Sequence, residues 1–83
     1  LRSSNFKKQF CILSKKIQQK TFERLEIFKG DRFYPLLNNH SLHGEYQGCR
    51  SINITGDLRV IYKDINDSTC ILLEIGTHGQ LYE

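Results

Sequence analysis

The spacing of apolar residues changes once along this chain, and that change limits the folds open to it. From Ser4 to Lys29, Phe6, Phe10, Leu13 and Ile17 recur at steps of four, three and four, and Phe22, Leu25 and Phe28 continue at threes. That is the period of one helix face. Ser3 or Ser4 suits the N-cap of a first helix, and Ser14 that of a second after a short break. Lys29 and Gly30 suit its end, where a cation meets the negative pole of the helix and glycine accepts the unwinding turn. The expected form is a helical hairpin.

From Gly30 to Gly44 the chain is punctuated by Pro35, Asn38 and Asn39, which reads as a loop anchored by Leu36, Leu37 and Leu42. Beyond it the period becomes two. Residues 46–55 place Ile52 and Ile54 on one side and Ser51, Asn53 and Thr55 on the other, as in a half-buried strand. Gly56-Asp57 predicts a hairpin, Leu58–Lys63 a second strand, and Asn66-Asp67-Ser68 another turn. Thr69–Ile75 is nearly continuous in apolar residues and reads as a central strand buried on both faces, broken by Gly76, with 77–83 as a tail. The fold class is therefore α+β: an N-terminal helical hairpin packed on one face of a small, mainly antiparallel sheet, with the polar face left open for function.

The 83 residues suit one domain, 1–83, with a modest core and no room for a buried cofactor, so no cofactor is expected. No apolar run approaches the roughly 20 residues that span a bilayer, and no membrane partner is expected. Without an initiator Met, the natural protein is expected to begin upstream of Leu1. Cys11, Cys49 and Cys70 are odd in number and far apart, as in a reduced, cytoplasmic protein whose cysteines serve as small, semi-buried hydrophobes. His40 and His43 could share an ion, but no second ligand pair at zinc spacing exists, so no metal site is expected.

Charge is distributed unevenly. Residues 1–29 carry eight basic side chains against Glu23 and Glu26, whereas the remainder carries four against seven acidic ones. A basic half is what a nucleic-acid partner would meet, and equally what a solvated helix surface looks like. On the strand half, strand ends and loops could gather His40, Asp57, Arg59, His78 and Tyr82. Two imidazoles, a carboxylate, a guanidinium and a phenol suit phosphodiester chemistry on RNA, which needs a base for the 2′-hydroxyl, an acid for the 5′-oxygen and a cation at the phosphate. Imidazole serves either proton role near neutral pH. Asn53 shares that face, and Arg50, in register with Ile52, reads as a secondary phosphate contact. Each has a plainer role open to it: Asp57 as a turn residue, Arg59 as a cross-strand partner, Tyr82 as a packing aromatic. His43 reads as a surface loop residue.

The segments HSLHGEYQGCR (40–50), SINITGDLRVIY (51–62) and IGTHGQLY (75–82), after a helical hairpin beginning Phe6-Lys-Lys, together resemble the YafQ-like branch of the RelE toxin superfamily over nearly the whole chain. The resemblance implies a type II toxin that enters the ribosomal A site and cuts mRNA without a metal, leaving a 2′,3′-cyclic phosphate and a 5′-hydroxyl. A cognate antitoxin, the ribosome and mRNA are the implied partners. It further implies that His78 is the principal catalytic histidine and general acid, and that His40 and Asp57 supply the base and its orienting or charge-balancing partner. Tyr82 would stack on the substrate and Arg59 would neutralise phosphate. Some relatives have an acidic residue and a further histidine where this chain has Ser51 and Asn53, and Asn53 cannot exchange a proton near neutral pH. Two alternatives remain: a ParE-like toxin that binds DNA gyrase without nuclease residues, and an inactive homologue kept for antitoxin binding.

Overall fold

The computed structural model describes residues 1–82. Its elements run α1 (Ser4–Cys11), α2 (Lys15–Gly30), β1 (His40–Ser41), β2 (Arg50–Asn53), β3 (Leu58–Asn66), β4 (Thr69–Thr77) and α3 (His78–Tyr82), with 3₁₀ turns at Pro35–Leu37 and Gly44–Tyr46. Ser3 and Ser14 cap the first two helices, their hydroxyls accepting from Phe6 N at 3.0 Å and Ile17 N at 3.2 Å. The break between the helices is tied by Gln18 Nε2, which donates to the Phe10 and Leu13 carbonyls. Phe6 stacks on Phe10, and Phe10 meets Phe22 edge-on. The helical pair thus forms where the period of three and four placed it.

The sheet is antiparallel in the order β1-β2-β3-β4. One face packs under the helices in a core of Phe6, Phe28, Leu37, Ile52, Ile54, Val60, Tyr62 and Ile75. Burial of this apolar area, about 25 cal/mol per Å², is the main force holding the layers together.

Five expectations change. First, β4 is an edge strand, not a central one, and its side chains are mostly half-buried. Its apolar run reflects cover on both faces, by α1 and α3, while its ladder edge is met not by a strand but by Leu1–Ser3 at Cys70 and Leu72 and by Gln9 Oε1 at Ile75 N. Second, Gly76 does not break β4, and the expected tail is helical from His78 to Tyr82; Glu83 lies outside the described residues. Third, the opposite sheet face is not open along its length: Cys49, Ile61 and Leu81 form a second cluster there, flanked by Leu42, Tyr46, Leu73 and Tyr82. Fourth, the strand expected over 46–55 is confined to Arg50–Asn53, and His40 lies in a short strand rather than a loop. Fifth, Leu36 is half exposed and does not anchor the loop, and Cys11 is exposed rather than semi-buried.

Candidate functional site

Residues directly opposite in an antiparallel pair share a face. The register aligns His40, Ser51, Ile61 and Glu74 in one row across the sheet, and Asn53, Arg59 and Gly76 in the next. Both rows lie on the face away from α1 and α2. The α3 helix folds back over them because Thr77 and Gln80 form a capping box: Gln80 Oε1 accepts from Thr77 N at 2.8 Å, and Thr77 Oγ1 from Gln80 N at 3.2 Å. Gly76 leaves room for this close approach. His78 is consequently the first residue of a helix, and its backbone N–H donates to the Asp57 carbonyl at 3.2 Å, joining α3 to the β2–β3 hairpin.

The result is a shallow cleft of about 370 Å³ lined by Asn38, His40, Leu42, Arg59, His78 and Tyr82. The two imidazoles are exposed, and none of these lining residues is acidic. His40 Nδ1 lies 2.8 Å from the Asn38 carbonyl oxygen. A carbonyl only accepts, so Nδ1 carries the proton, and the neutral ring keeps its lone pair on Nε2. Asn38 is able to aim that carbonyl because it adopts the left-handed conformation, with φ of 46°. Arg59 is steadied by the Thr55 carbonyl, to which Nη1 donates at 3.1 Å. The Tyr82 ring stands 4.8 Å from that of His78, and its hydroxyl donates to the buried Ser51 Oγ at 3.2 Å.

Four of the expected residues, His40, Arg59, His78 and Tyr82, therefore line one cleft. Asn53 pairs with Arg59 on the same face, its Oδ1 buried and without a partner among the described residues. Asp57 sits at the exposed hairpin tip beside the cleft and is not among the lining residues. Arg50 is on the other face: Nε donates to Asn39 Oδ1 at 2.6 Å and the guanidinium lies over Phe33. Asn38 and Tyr46 carried no functional expectation and Leu42 only that of a loop anchor; Asn38 and Leu42 line the cleft, and Tyr46 borders it through Tyr82. Asn38 was read as loop punctuation although asparagine tolerates the left-handed region, which was the available signal. Tyr46 donates to Glu74 Oε2 at 2.7 Å, and burial, reinforced by that bond, pushes its phenol up to about 12. A larger hollow of about 490 Å³ lies at the end of α2, between Phe28, Arg32 and Cys70, but its lining holds no imidazole. No cluster of three potential metal ligands occurs among the described residues.

Residues 2–83 match the family described as the bacterial toxin of type II toxin–antitoxin system, YafQ. No curated protein sequence matches the chain. Among solved structures it is similar to YafQ from E. coli strain BL21(DE3), with a TM-score of 0.83 and 20% identity over 99% of this chain and 94% of that one. It is similar to the E. coli DinJ–YafQ toxin–antitoxin complex, with a TM-score of 0.75 and 22% identity over 99% and 93%. The YoeB/ParE toxin from Agrobacterium tumefaciens gives 0.78 at 16% identity over 94% and 95%. At such identities these likenesses establish a shared fold, while the family match runs the length of the site-bearing segments. The chain belongs to the YafQ family of bacterial toxins of type II toxin–antitoxin systems.

Proposed function

We propose that this toxin is a ribosome-dependent endoribonuclease that cuts mRNA by attack of a 2′-hydroxyl on the adjacent phosphorus. The observation that carries the reading is the shared cleft of His40, Arg59, His78 and Tyr82. His40 Nε2 takes the 2′-hydroxyl proton as the oxygen bonds to phosphorus. The bond to the 5′-oxygen breaks, and protonated His78 gives that oxygen its proton. The products are a 2′,3′-cyclic phosphate and a 5′-hydroxyl, and no further reactant is consumed. Arg59 balances the charge that develops on the phosphoryl oxygens, where a fixed cation contributes most. Tyr82 supplies a face for a base. His40 lines the cleft whereas the Asp57 carboxylate stands at the exposed hairpin tip outside its lining, which favours His40 as the general base. Asn53 completes the substrate contacts, whereas Arg50, on the other face of the sheet, takes no part in them.

The basic residues of α1 and α2 would face ribosomal RNA, so binding should weaken steeply with salt. The cognate antitoxin is the second partner, supported by the likeness to the DinJ–YafQ complex. A groove of about 450 Å³ along α2, lined by Lys16, Ile17, Lys20, Glu23 and Thr55, suits one of its segments. The test is to map mRNA 5′ ends after induction of the wild type and of His78→Ala. New ends inside translated frames, absent in the variant, are expected. Growth arrest without new ends, relieved by a resistant gyrase, would replace this reading with a ParE-like one. Equal toxicity of the His78→Ala variant would remove the catalytic assignment.

A further inference from the structure

The proposed chemistry uses His78 and Tyr82, yet α3 has only five residues and cannot by itself fix two rings at the lip of an open cleft. A line of side chains from four other parts of the chain ends on them. Gln9 of α1 reaches β4, where its Oε1 accepts from Ile75 N at 2.9 Å and its Nε2 lies 3.4 Å from Glu74 Oε1. The other carboxylate oxygen, Oε2, accepts from the Tyr46 hydroxyl at 2.7 Å. With a partner from a different element on each oxygen, Glu74 has one orientation open to it, and it holds the Tyr46 ring in turn. That ring meets Tyr82 edge-on, with centroids 6.0 Å apart and planes at 89°. Tyr82, bonded to Ser51 at its far end, flanks the His78 imidazole.

Packing alone would not select this arrangement. Tyr46 and Glu74 are both half-buried beside the apolar cluster of Cys49, Ile61 and Leu81. A leucine at position 74 would fill similar space without the cost of desolvating a carboxylate. What the carboxylate adds is direction, because a hydrogen bond fixes the angle of a phenol and an apolar contact does not. We infer that Tyr46 and Glu74 are positioning residues that, through Tyr82, set the orientation of the His78 imidazole at the cleft.

The catalytic part of this inference rests on the nuclease reading; the geometric part does not. The experiment therefore has two readouts on the whole toxin, in wild type, Tyr46→Ala, Tyr46→Phe and Glu74→Leu. By NMR, Tyr46→Ala and Glu74→Leu should weaken the ring–ring contacts between His78 and Tyr82 and move the His78 resonances, while contacts between Phe28 and Tyr62 in the other core persist. Tyr46→Phe, which keeps the ring and loses the same bond as Glu74→Leu, should move them as Glu74→Leu does. In ribosome-bound cleavage, Tyr46→Ala and Glu74→Leu should lower kcat by about tenfold with KM unchanged, the size expected when a reacting group is displaced by a fraction of an ångström. Tyr46→Phe, which lacks the same hydrogen bond as Glu74→Leu, should lose as much as that variant. Wild-type His78 and Tyr82 resonances in Glu74→Leu would overturn the inference, even if Tyr46→Ala fails to fold. So would a loss confined to KM. If the wild type cuts no RNA, the nuclease reading falls, and the resonances alone decide whether the two residues position His78.

Discussion

A methyl group at Gly76 tests whether the seating of α3 is as tight as the site requires. A Cβ there would stand 3.1 Å from Gln80 Oε1 and 3.3 and 3.4 Å from Leu81 Cδ2 and Cγ. Two effects oppose one another in Gly76→Ala. The variant loses less chain entropy on folding, a gain of about 0.4–1 kcal/mol. Overpacking costs about 1–3 kcal/mol. Which wins depends on whether the neighbours can retreat. Gln80 Oε1 ends a flexible side chain, but it is the acceptor for Thr77 N, and swinging it away gives up half of the capping box, about 1 kcal/mol. Leu81 is 7% exposed and wedged against Cys49 and Ile61, so it yields only if α3 lifts. Overpacking should therefore win, by about 1–2 kcal/mol net, once the entropy gain is set against it.

Urea titration should show this as a lower midpoint at an unchanged slope. In a chain of this size the melting temperature should fall by about 4–15 °C. Hydrogen exchange should rise first in residues 77–82. Adding Gln80→Ala removes one of the atoms in the way, so the double variant should cost less than the sum of the two single ones. Stability at or above wild type in Gly76→Ala, with unchanged exchange in α3, would refute the reasoning.

Three further outcomes follow from the same geometry. Arg59→Ala should lower RNA cleavage by about 10²-fold, as loss of a single charge-stabilising donor does elsewhere, with undiminished cleavage excluding its phosphate role. The Tyr46 phenol is raised from 10 to about 12, so its stabilising effect is complete below pH 10 and is lost as pH rises through about 12; a late step in tyrosinate absorbance, absent in Tyr46→Phe, should report it. Tyr62→Phe removes the hydroxyl that accepts from Asn39 Nδ2 at 2.7 Å in a fully buried site. It should cost about 1 kcal/mol in urea unfolding while leaving the cleft unaltered.

What could be read from the sequence was local. The period of three and four, with serines at both caps, placed the two helices, because an amphipathic face and its capping residues are encoded within a few turns. The parity of Ile52 and Ile54 against Ser51 and Asn53 sorted β2 correctly and set Arg50 apart from the cleft, as found. The position of β4 could not be read that way. An apolar run reports that both faces are covered, and is silent on whether both ladder edges are paired. Here the cover comes from helices on either side of an edge strand, one of them the α3 that was read as a tail. The capping-box pattern Thr77-x-x-Gln80 was present in the sequence. It was obscured by Gly76 and Gly79, whose flexibility suggests irregular chain until the close packing over Gly76 is seen.

The same distinction bears on the proton-transfer roles. By residue type alone, His40 and Asp57 are both able to act as the base opposite His78. The two differ in what their neighbours do to them. His40 is in β1, with its Nδ1 engaged by the carbonyl of the left-handed Asn38, so the free nitrogen is the basic one and lies in a cleft-lining ring. Asp57 instead contributes its backbone carbonyl to the start of α3, and its carboxylate stands at an exposed hairpin tip. With Ser51 buried beneath Tyr82 and Asn53 unable to exchange a proton, His40 and His78 are the two imidazoles that line this cleft, His43 lying in the neighbouring hollow across Tyr82. Under the proposed assignment the cleft holds one acid–base pair and one guanidinium, so replacing any of the three should remove most of the RNA cleavage.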